Sequence, residues 1–449
     1  MIGAHGSKLR SHLVWNSISF AVPILFAFVS IPILVRNIGY DRFGVLTIIW
    51  AVAGYFGVFD FGLSKSLSHA MIVLGGAERK ARSDIVVTGL AALAGLGLIV
   101  GAIFFVFSGG ITDLLVGAGN AIHGESVSAF RLIALSLPFI ILFSGVRGII
   151  ESEKRFVLSS ISRTAIAALT YFGPTAISVV EPDLVHIAAV ILAIRIASFA
   201  VYALVLVRSD TVSLRLGAVS LTILKKLFST GGWMSVSNIV IPLTVYSDRF
   251  FISYLAGVTA VSFYAVPFEI IMRVTTIPVA FGGVMFVYFS ESYARRDGHL
   301  SALYRKGVQY VLLFCVPTGL VLAVFSRTIL GLWISDDFAQ NAHLSLSILA
   351  LGLPFYGLIQ PSFNMVQACG RSDLAAKLHV AETIAYLIYM SILLKSFGVP
   401  GAAAAWSGRL LLSSVLHHLI ARHLMARHHS RPADAALPAV AAPAQGGGG

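Results

Sequence analysis

The feature that most constrains this chain is an apolar run of about 20 residues that returns, with short polar gaps, from residue 13 almost to the end. A run of that length crosses the hydrocarbon core of a bilayer as a helix, because a helix satisfies every backbone polar group within the segment. Twelve spans are expected, at 13–35, 44–63, 85–107, 129–150, 161–180 and 185–207, then at 233–256, 261–289, 308–325, 344–366, 379–397 and 402–424. With 57% hydrophobic and only 12% charged residues, the composition excludes a soluble enzyme. The net charge of +12 does not point to nucleic acid either, since the basic residues are spread through loops rather than gathered on one polar domain.

That spread sets an orientation. Of the 32 Lys and Arg, only Arg36, Arg42, Arg131, Arg327 and Lys395 fall on one side; four more lie within spans, and the rest share the opposite side. The positive-inside bias predicts that both termini are cytoplasmic. The first run is too long for the apolar region of a signal peptide, so it is expected to stay in the membrane. The tail at 425–449, rich in Ala, Pro and Gly, is expected to be disordered. Cys315 and Cys369 show no ligand-like spacing and no Walker A pattern occurs, so no metal site and no cofactor are expected. The glycines of the third run, including Gly97 and Gly101, read as a close-packing helix face rather than a nucleotide loop.

The chain also repeats itself. LIALSLPF at 132–139 returns as ILALGLPF at 348–355, an offset of 216. Gly39 and Gly44 correspond to Gly257 and Ser262 at an offset of 218, and Arg195 to Arg409 at 214. Six spans per half make both halves enter the bilayer from the same side, giving parallel repeats about an axis along the membrane normal. The expected fold is therefore an all-α membrane protein: twelve transmembrane helices in two parallel six-helix pseudo-symmetric lobes around a central cavity. The lobes are placed at 1–207 and 228–424, with a cytoplasmic linker at 208–227. Lobes of this kind rock about a midplane site, which describes a carrier rather than a channel.

RNIGYDRFG at 36–44 and FDFGLS at 59–64 open the first half, and SDRFFISYLAG at 247–257, LGLWISDDFA at 330–339, CGRSD at 369–373 and FGVPGAAAAW at 397–406 punctuate the second. In order and spacing these phrases resemble the Wzx-type oligosaccharide flippases of the multidrug/oligosaccharidyl-lipid/polysaccharide exporter superfamily. The resemblance covers the twelve spans and leaves out the tail. It implies a multi-pass protein of the bacterial cytoplasmic membrane, not an enzyme, that moves undecaprenyl-diphosphate-linked oligosaccharide from the inner to the outer leaflet for surface polysaccharide assembly. The implied partners are that glycolipid, membrane lipids and a candidate polysaccharide polymerase, without nucleic acid.

Ionisable groups inside the membrane are functional candidates by default, because each is expensive without a partner or a wet cavity. Asp60, Arg195, Asp248, Arg249, Glu269, Arg273, Glu382 and Arg409 all fall within the runs. Arg195, Arg249, Arg273 and Arg409, with Arg36 at a helix end, are assigned to a cationic, outward-biased cavity, since a guanidinium donates paired hydrogen bonds to a diphosphate. The plainer alternative for each is a structural ion pair or snorkelling to the interface. Glu269 and Arg273 are four residues apart on one helix face, either a neutralising pair or a pair that an arriving phosphate splits, freeing Glu269 for a proton. Asp60, Asp248 and Glu269 are the candidates for a coupling proton or sodium ion, with a structural role equally open to Asp60, which can cap the bend at Gly62, and to Asp248, which adjoins Arg249. Pro23, Pro32, Pro242, Pro267 and Pro278 invite kinks. His417, His418, His423, His428 and His429, alternating with Arg422 and Arg427, read as a strip at the anionic headgroups rather than a metal site.

Two other functions share parts of this pattern. A cation-coupled multidrug and toxin exporter has the same architecture, but its cargo calls for carboxylates in the cavity. A polytopic glycosyltransferase or ligase would use Asp336 and Asp337, yet the outer loops are too short for a catalytic domain.

Overall fold

In the computed structural model, residues 2–56, 60–74, 79–153, 156–208, 218–295 and 298–430 are described, and every element among them is helical. The tail beyond 430, the linker residues 209–217 and the side chains of Pro242, His428 and His429 lie outside the described residues. The elements are α1 (Ile2–Phe56), α2 (Leu63–Leu74), α3 (Arg79–Val106), α4 (Ser108–Leu115), α5 (His123–Ser152), α6 (Phe156–Ser178) and α7 (Leu184–Val207). The second half follows as α8 (Leu221–Ala256), α9 (Val258–Arg295), α10 (Leu300–Val324), α11 (Ser326–Trp333), α12 (Asp336–Leu351), α13 (Leu353–Ala368) and α14 (Ser372–Ser430).

With 55 and 59 residues, α1 and α14 are far too long for one crossing. Each contains one glycine with non-helical backbone, Gly39 (φ 77°, ψ 170°) and Gly398 (φ 63°, ψ −147°). Around Gly398 the chain doubles back. The rings of His379 and His417 lie 5.4 Å apart, Arg409 sits 5.3 Å over the Tyr386 ring, and the Tyr389 hydroxyl donates to the Ala405 carbonyl at 3.1 Å. These pairs converge on the glycine, so α14 is two antiparallel arms joined where only a residue without a Cβ adopts the required φ easily. Eight helices among the described residues are long and apolar enough to cross a membrane, and the doubled helices raise the number of crossings above that.

In the first lobe α5 packs against α1, α2, α3 and α7, and in the second α12 and α13 take that place against α9, α10 and α14. The repeat read from the sequence is a repeat of packing. A Cβ on Gly101 would lie 2.9 Å from the Ala134 carbonyl oxygen, and one on Gly319 would lie 2.7 Å from that of Ala350. Both glycines thus bring a neighbouring helix onto the same point of the repeated phrase, the close approach that small residues allow between membrane helices. The short helices α4 and α11 are likewise eight residues each and 218 residues apart.

A pseudo-twofold relation joins the lobes at the Gly39 and Gly257 turns, whose backbones agree (Gly257 φ 87°, ψ 161°). A Cβ on Gly44 would collide with the Val258 carbonyl oxygen, while Ser262 Oγ donates to the Tyr40 carbonyl at 2.6 Å. Those two contacts are mates at the 218 offset. Thr259, the mate of Asp41, donates its hydroxyl to the Asp41 carboxylate, which puts the pseudo-axis between them. The end of the first crossing in each half also reaches the end of the short helix of the other: Ser253 Oγ donates to the Leu115 carbonyl at 2.6 Å, and Arg36 donates through Nε and Nη2 to that of Ile334, just after α11, at 3.2 and 2.8 Å.

Two expected elements differ. The span expected at 344–366 lies within one candidate crossing, Asp336–Ala368, whose helix is irregular at Gly352 (φ −74°, ψ −20°), between α12 and α13, whereas α5 runs regular through the matching Ser136. Glycine followed by Leu353 and Pro354 disfavours a continuous helix, and serine in the same register does not. The expected linker also ends early: α8 begins at Leu221, and Ser66 Oγ donates to the Leu227 carbonyl at 2.8 Å, laying the start of α8 on the first lobe.

Candidate functional site: a cationic cavity between the lobes

Helices α1, α5, α6 and α7 of the first lobe and α8 and α9 of the second enclose a cavity of about 580 Å³. Four arginines line it: Arg147 from α5, Arg195 from α7, Arg249 from α8 and Arg273 from α9. Against them stands one acid, Glu269, also on α9. Its carboxylate is shared, with Oε1 accepting from Arg249 Nη2 at 3.1 Å and Oε2 from Arg273 Nη2 at 2.9 Å. Arg273 Nη2 donates to the Tyr171 hydroxyl as well, at 2.6 Å.

The balance of donors and acceptors is lopsided. Arg195 makes no hydrogen bond or ion pair among the described residues, and its buried Nε has no partner. The Nε groups of Arg147, Arg249 and Arg273 and the Trp50 indole N–H are also buried without a hydrogen bond, Arg147 Nε having only the Glu151 carboxylate at 3.7 Å. Trp50 stands in the same wall, its ring 5.1 Å from that of Tyr171. Five buried donors without a hydrogen bond thus belong to residues that line one cavity. Buried polar groups in folded proteins are almost always paired, so a set of donors around a cavity describes the complement of a ligand rich in acceptors.

Of the residues expected in the cationic cavity, the structure brings together Arg195, Arg249 and Arg273, with Glu269 between the last two. Arg36 does not line it, since its guanidinium is held at the inter-lobe joint on the Ile334 carbonyl. Arg409 lies over Tyr386 inside the second lobe. The expected outward bias is corrected accordingly: Arg36 is absent and Arg147, at the far end of α5 from the Gly39 joint, is present, so the charge extends toward the other end of the bundle. The sequence reading counts Arg147 with the basic residues of the cytoplasmic side, although it falls near the end of the span expected at 129–150, and does not single out Trp50. An indole N–H in mid-span, which needs a partner when buried, was the available signal.

The other acidic candidates are engaged elsewhere. Asp60 accepts from the backbone N–H of Gly62 at 2.9 Å and of Ser64 at 3.2 Å, the cap at the bend. Asp248 is fully surrounded, one oxygen accepting from the Tyr264 hydroxyl at 2.6 Å and the other from that of Tyr386. Glu382 lies 3.8 Å from His379 Nδ1. Asp337 accepts from Tyr40 at the inter-lobe joint at 2.8 Å, and with Asp336 occupies the first turn of α12.

The profile of the family described as Polysaccharide biosynthesis protein matches residues 11–293, and that of the MatE family matches 234–390. A protein from Shigella flexneri named "Putative O-antigen transporter" is 31% identical over 412 residues, covering 90% of this chain and 95% of its own. Among solved structures, the lipid II flippase MurJ in an inward closed conformation superposes with a TM-score of 0.77 at 13% identity, over 93% of this chain and 92% of that one. A multidrug resistance MATE family transporter in an inward-facing conformation gives 0.74 at 14% identity, over 92% of this chain and 99% of that one. Both likenesses carry the fold alone: two packed lobes, all helical. With the family profile spanning more than half of the chain and the relative aligning over nearly all of it, the chain belongs to the polysaccharide biosynthesis protein family.

Proposed function

We propose that this protein is a flippase that moves a polyprenyl-diphosphate-linked oligosaccharide from the inner to the outer leaflet of a bacterial cytoplasmic membrane, with both termini in the cytoplasm. The observation that carries this reading is the ring of five buried donors around the inter-lobe cavity. A diphosphate presents many acceptor oxygens and negative charge, and guanidinium groups bind such oxygens through charge-assisted, often paired hydrogen bonds. The polyprenyl tail stays in lipid while the headgroup occupies the cavity. Rocking of the two lobes about the joint near Gly39 and Gly257 exposes the cavity to each side in turn. A membrane potential negative inside favours outward passage of the anion by about 2.3 kcal/mol per charge per 100 mV. An organic cation finds little there, since the one carboxylate is already shared by two arginines.

Coupling to a proton or sodium ion is assigned in this reading to Glu269. An incoming diphosphate competes for Arg249 and Arg273 and releases the carboxylate to take a cation, whereas the oxygens of Asp60 and Asp248 are already occupied. The test is reconstitution in liposomes with a fluorescent undecaprenyl-diphosphate oligosaccharide whose accessibility is read from outside. Wild type is expected to expose the label, and Arg273→Ala to abolish exposure while remaining folded. Full transport by a folded Arg273→Ala variant, or export of organic cations with no movement of the glycolipid, overturns the proposal.

A further inference from the structure

A second cavity, of about 750 Å³, opens between α10 and the last arm of α14, at the end of the second lobe away from Gly257. The two helices are not packed along their lengths there. They are tied through Tyr304, whose hydroxyl lies 2.7 Å from His418 Nδ1 and 2.8 Å from Ser362 Oγ on α13, the helix that floors the gap. Two arginines stand at its mouth, Arg305 on α10 and Arg422 on α14. Both are exposed, and neither makes an ion pair among the described residues.

Each arginine ends an apolar stripe. Leu411, Val415 and Leu419 precede Arg422 at helical spacing and are 46%, 46% and 55% exposed. Leu313, Val316 and Leu320 lie on the Arg305 side of α10, beyond the polar Gln309, and are also exposed. A pair of cations above two parallel apolar tracks matches a phospholipid: phosphate at the guanidiniums and acyl chains along the stripes. When Tyr304 donates to His418 Nδ1, the ring's Nε2 carries the proton and adds a third donor.

We infer that this groove is a binding site for an anionic glycerophospholipid of the leaflet at the basic end of the bundle, held by Arg305 and Arg422. The site is separate from the inter-lobe cavity and does not depend on what that cavity transports.

The experiment is native mass spectrometry of the purified full-length protein titrated with phosphatidylglycerol, phosphatidylcholine and undecaprenyl phosphate. Wild type is expected to retain phosphatidylglycerol over phosphatidylcholine by about thirtyfold, the scale for two basic residues near a membrane surface. Arg305→Ala with Arg422→Ala is expected to erase that preference, while Lys306→Ala, next along α10 but outside the groove, keeps it. An unchanged preference in a monodisperse double variant overturns the inference. So does stronger retention of undecaprenyl phosphate than of phosphatidylglycerol, which makes the groove a waiting site for the cargo lipid instead.

Discussion

Arg195 and Arg409 occupy the same register in the two halves, yet their surroundings are opposite. Arg195 lines a cavity with three other arginines and makes no ion pair among the described residues. Arg409 lies on the Tyr386 ring, within electrostatic range of both Asp248 and Glu382. The lobes share backbone packing but divide the electrostatics: Arg195 stands among cations at the cavity, whereas Arg409, whose Nε is likewise buried without a hydrogen bond, has two carboxylates near it. A carrier built from repeats needs matching shapes to rock, and a site that binds an anion needs them to differ in charge.

The contrast breaks most sharply on substitution to alanine. Arg195→Ala removes a buried cation from the cargo's path, and the loss of one partner of a buried charge pair costs about 2–5 kcal/mol. Flipping is therefore expected to fall by roughly 30-fold or more with little change in the thermal midpoint. Arg409→Ala is expected to do the reverse, lowering the midpoint because Asp248 and Glu382 lose their cation, while the folded fraction still transports. Vesicle assays and thermal melts on the same preparations decide the matter; equal transport loss in both variants ends the division of roles.

Within the second lobe, the Asp248 carboxylate is the test of neutralisation. Tyr386→Phe removes one of its two hydroxyl donors and leaves a buried acceptor short. A destabilisation of about 1–3 kcal/mol is expected, read as a lower melting temperature in detergent. The same change at Tyr171, which accepts from Arg273 in the cavity, is expected to alter transport more than stability.

The shared packing can be probed independently of charge. Gly101→Ala and Gly319→Ala each drive a methyl group against a helix carbonyl, at 2.9 and 2.7 Å before relaxation. Overpacking of this kind costs about 1–3 kcal/mol, and the two variants are expected to agree closely in melting temperature. A large difference between them means that the repeat in sequence is not a repeat in energetics.

These contrasts also explain what the sequence disclosed. The spans were legible because a bilayer imposes length and apolarity on each segment separately. The repeat was legible because close backbone approach leaves glycine at fixed places: Gly39 and Gly257 at the turns, and Gly44 on the inter-lobe joint. The cavity was only half legible. Arg195, Arg249 and Arg273 announce themselves as charges in apolar runs, but which faces meet is decided by helices distant in sequence. Arg36 was drawn to the Ile334 carbonyl, 298 residues away, and Arg147 was brought in from the end of α5. Ionisable character is a local property of the chain, and convergence is not.

Trp50 gives the smallest expected effect and the finest test of the donor ring. Its indole N–H is buried without a partner, although the ring packs well against Tyr171 and Phe43. Trp50→Phe keeps most of the aromatic surface and deletes the donor. If the N–H serves only the empty state, its removal relieves an unsatisfied polar group and the protein becomes slightly more stable with unchanged transport. If it donates to the diphosphate, a neutral hydrogen bond of about 0.5–1.5 kcal/mol is lost with the cargo bound, and the apparent affinity for the glycolipid falls by roughly threefold to tenfold. The expected result is both at once: a stability equal to or above wild type, together with weaker cargo binding in titrated flipping assays. That combination separates a ligand donor from a packing residue, because a residue that only packs loses stability when trimmed and leaves affinity alone.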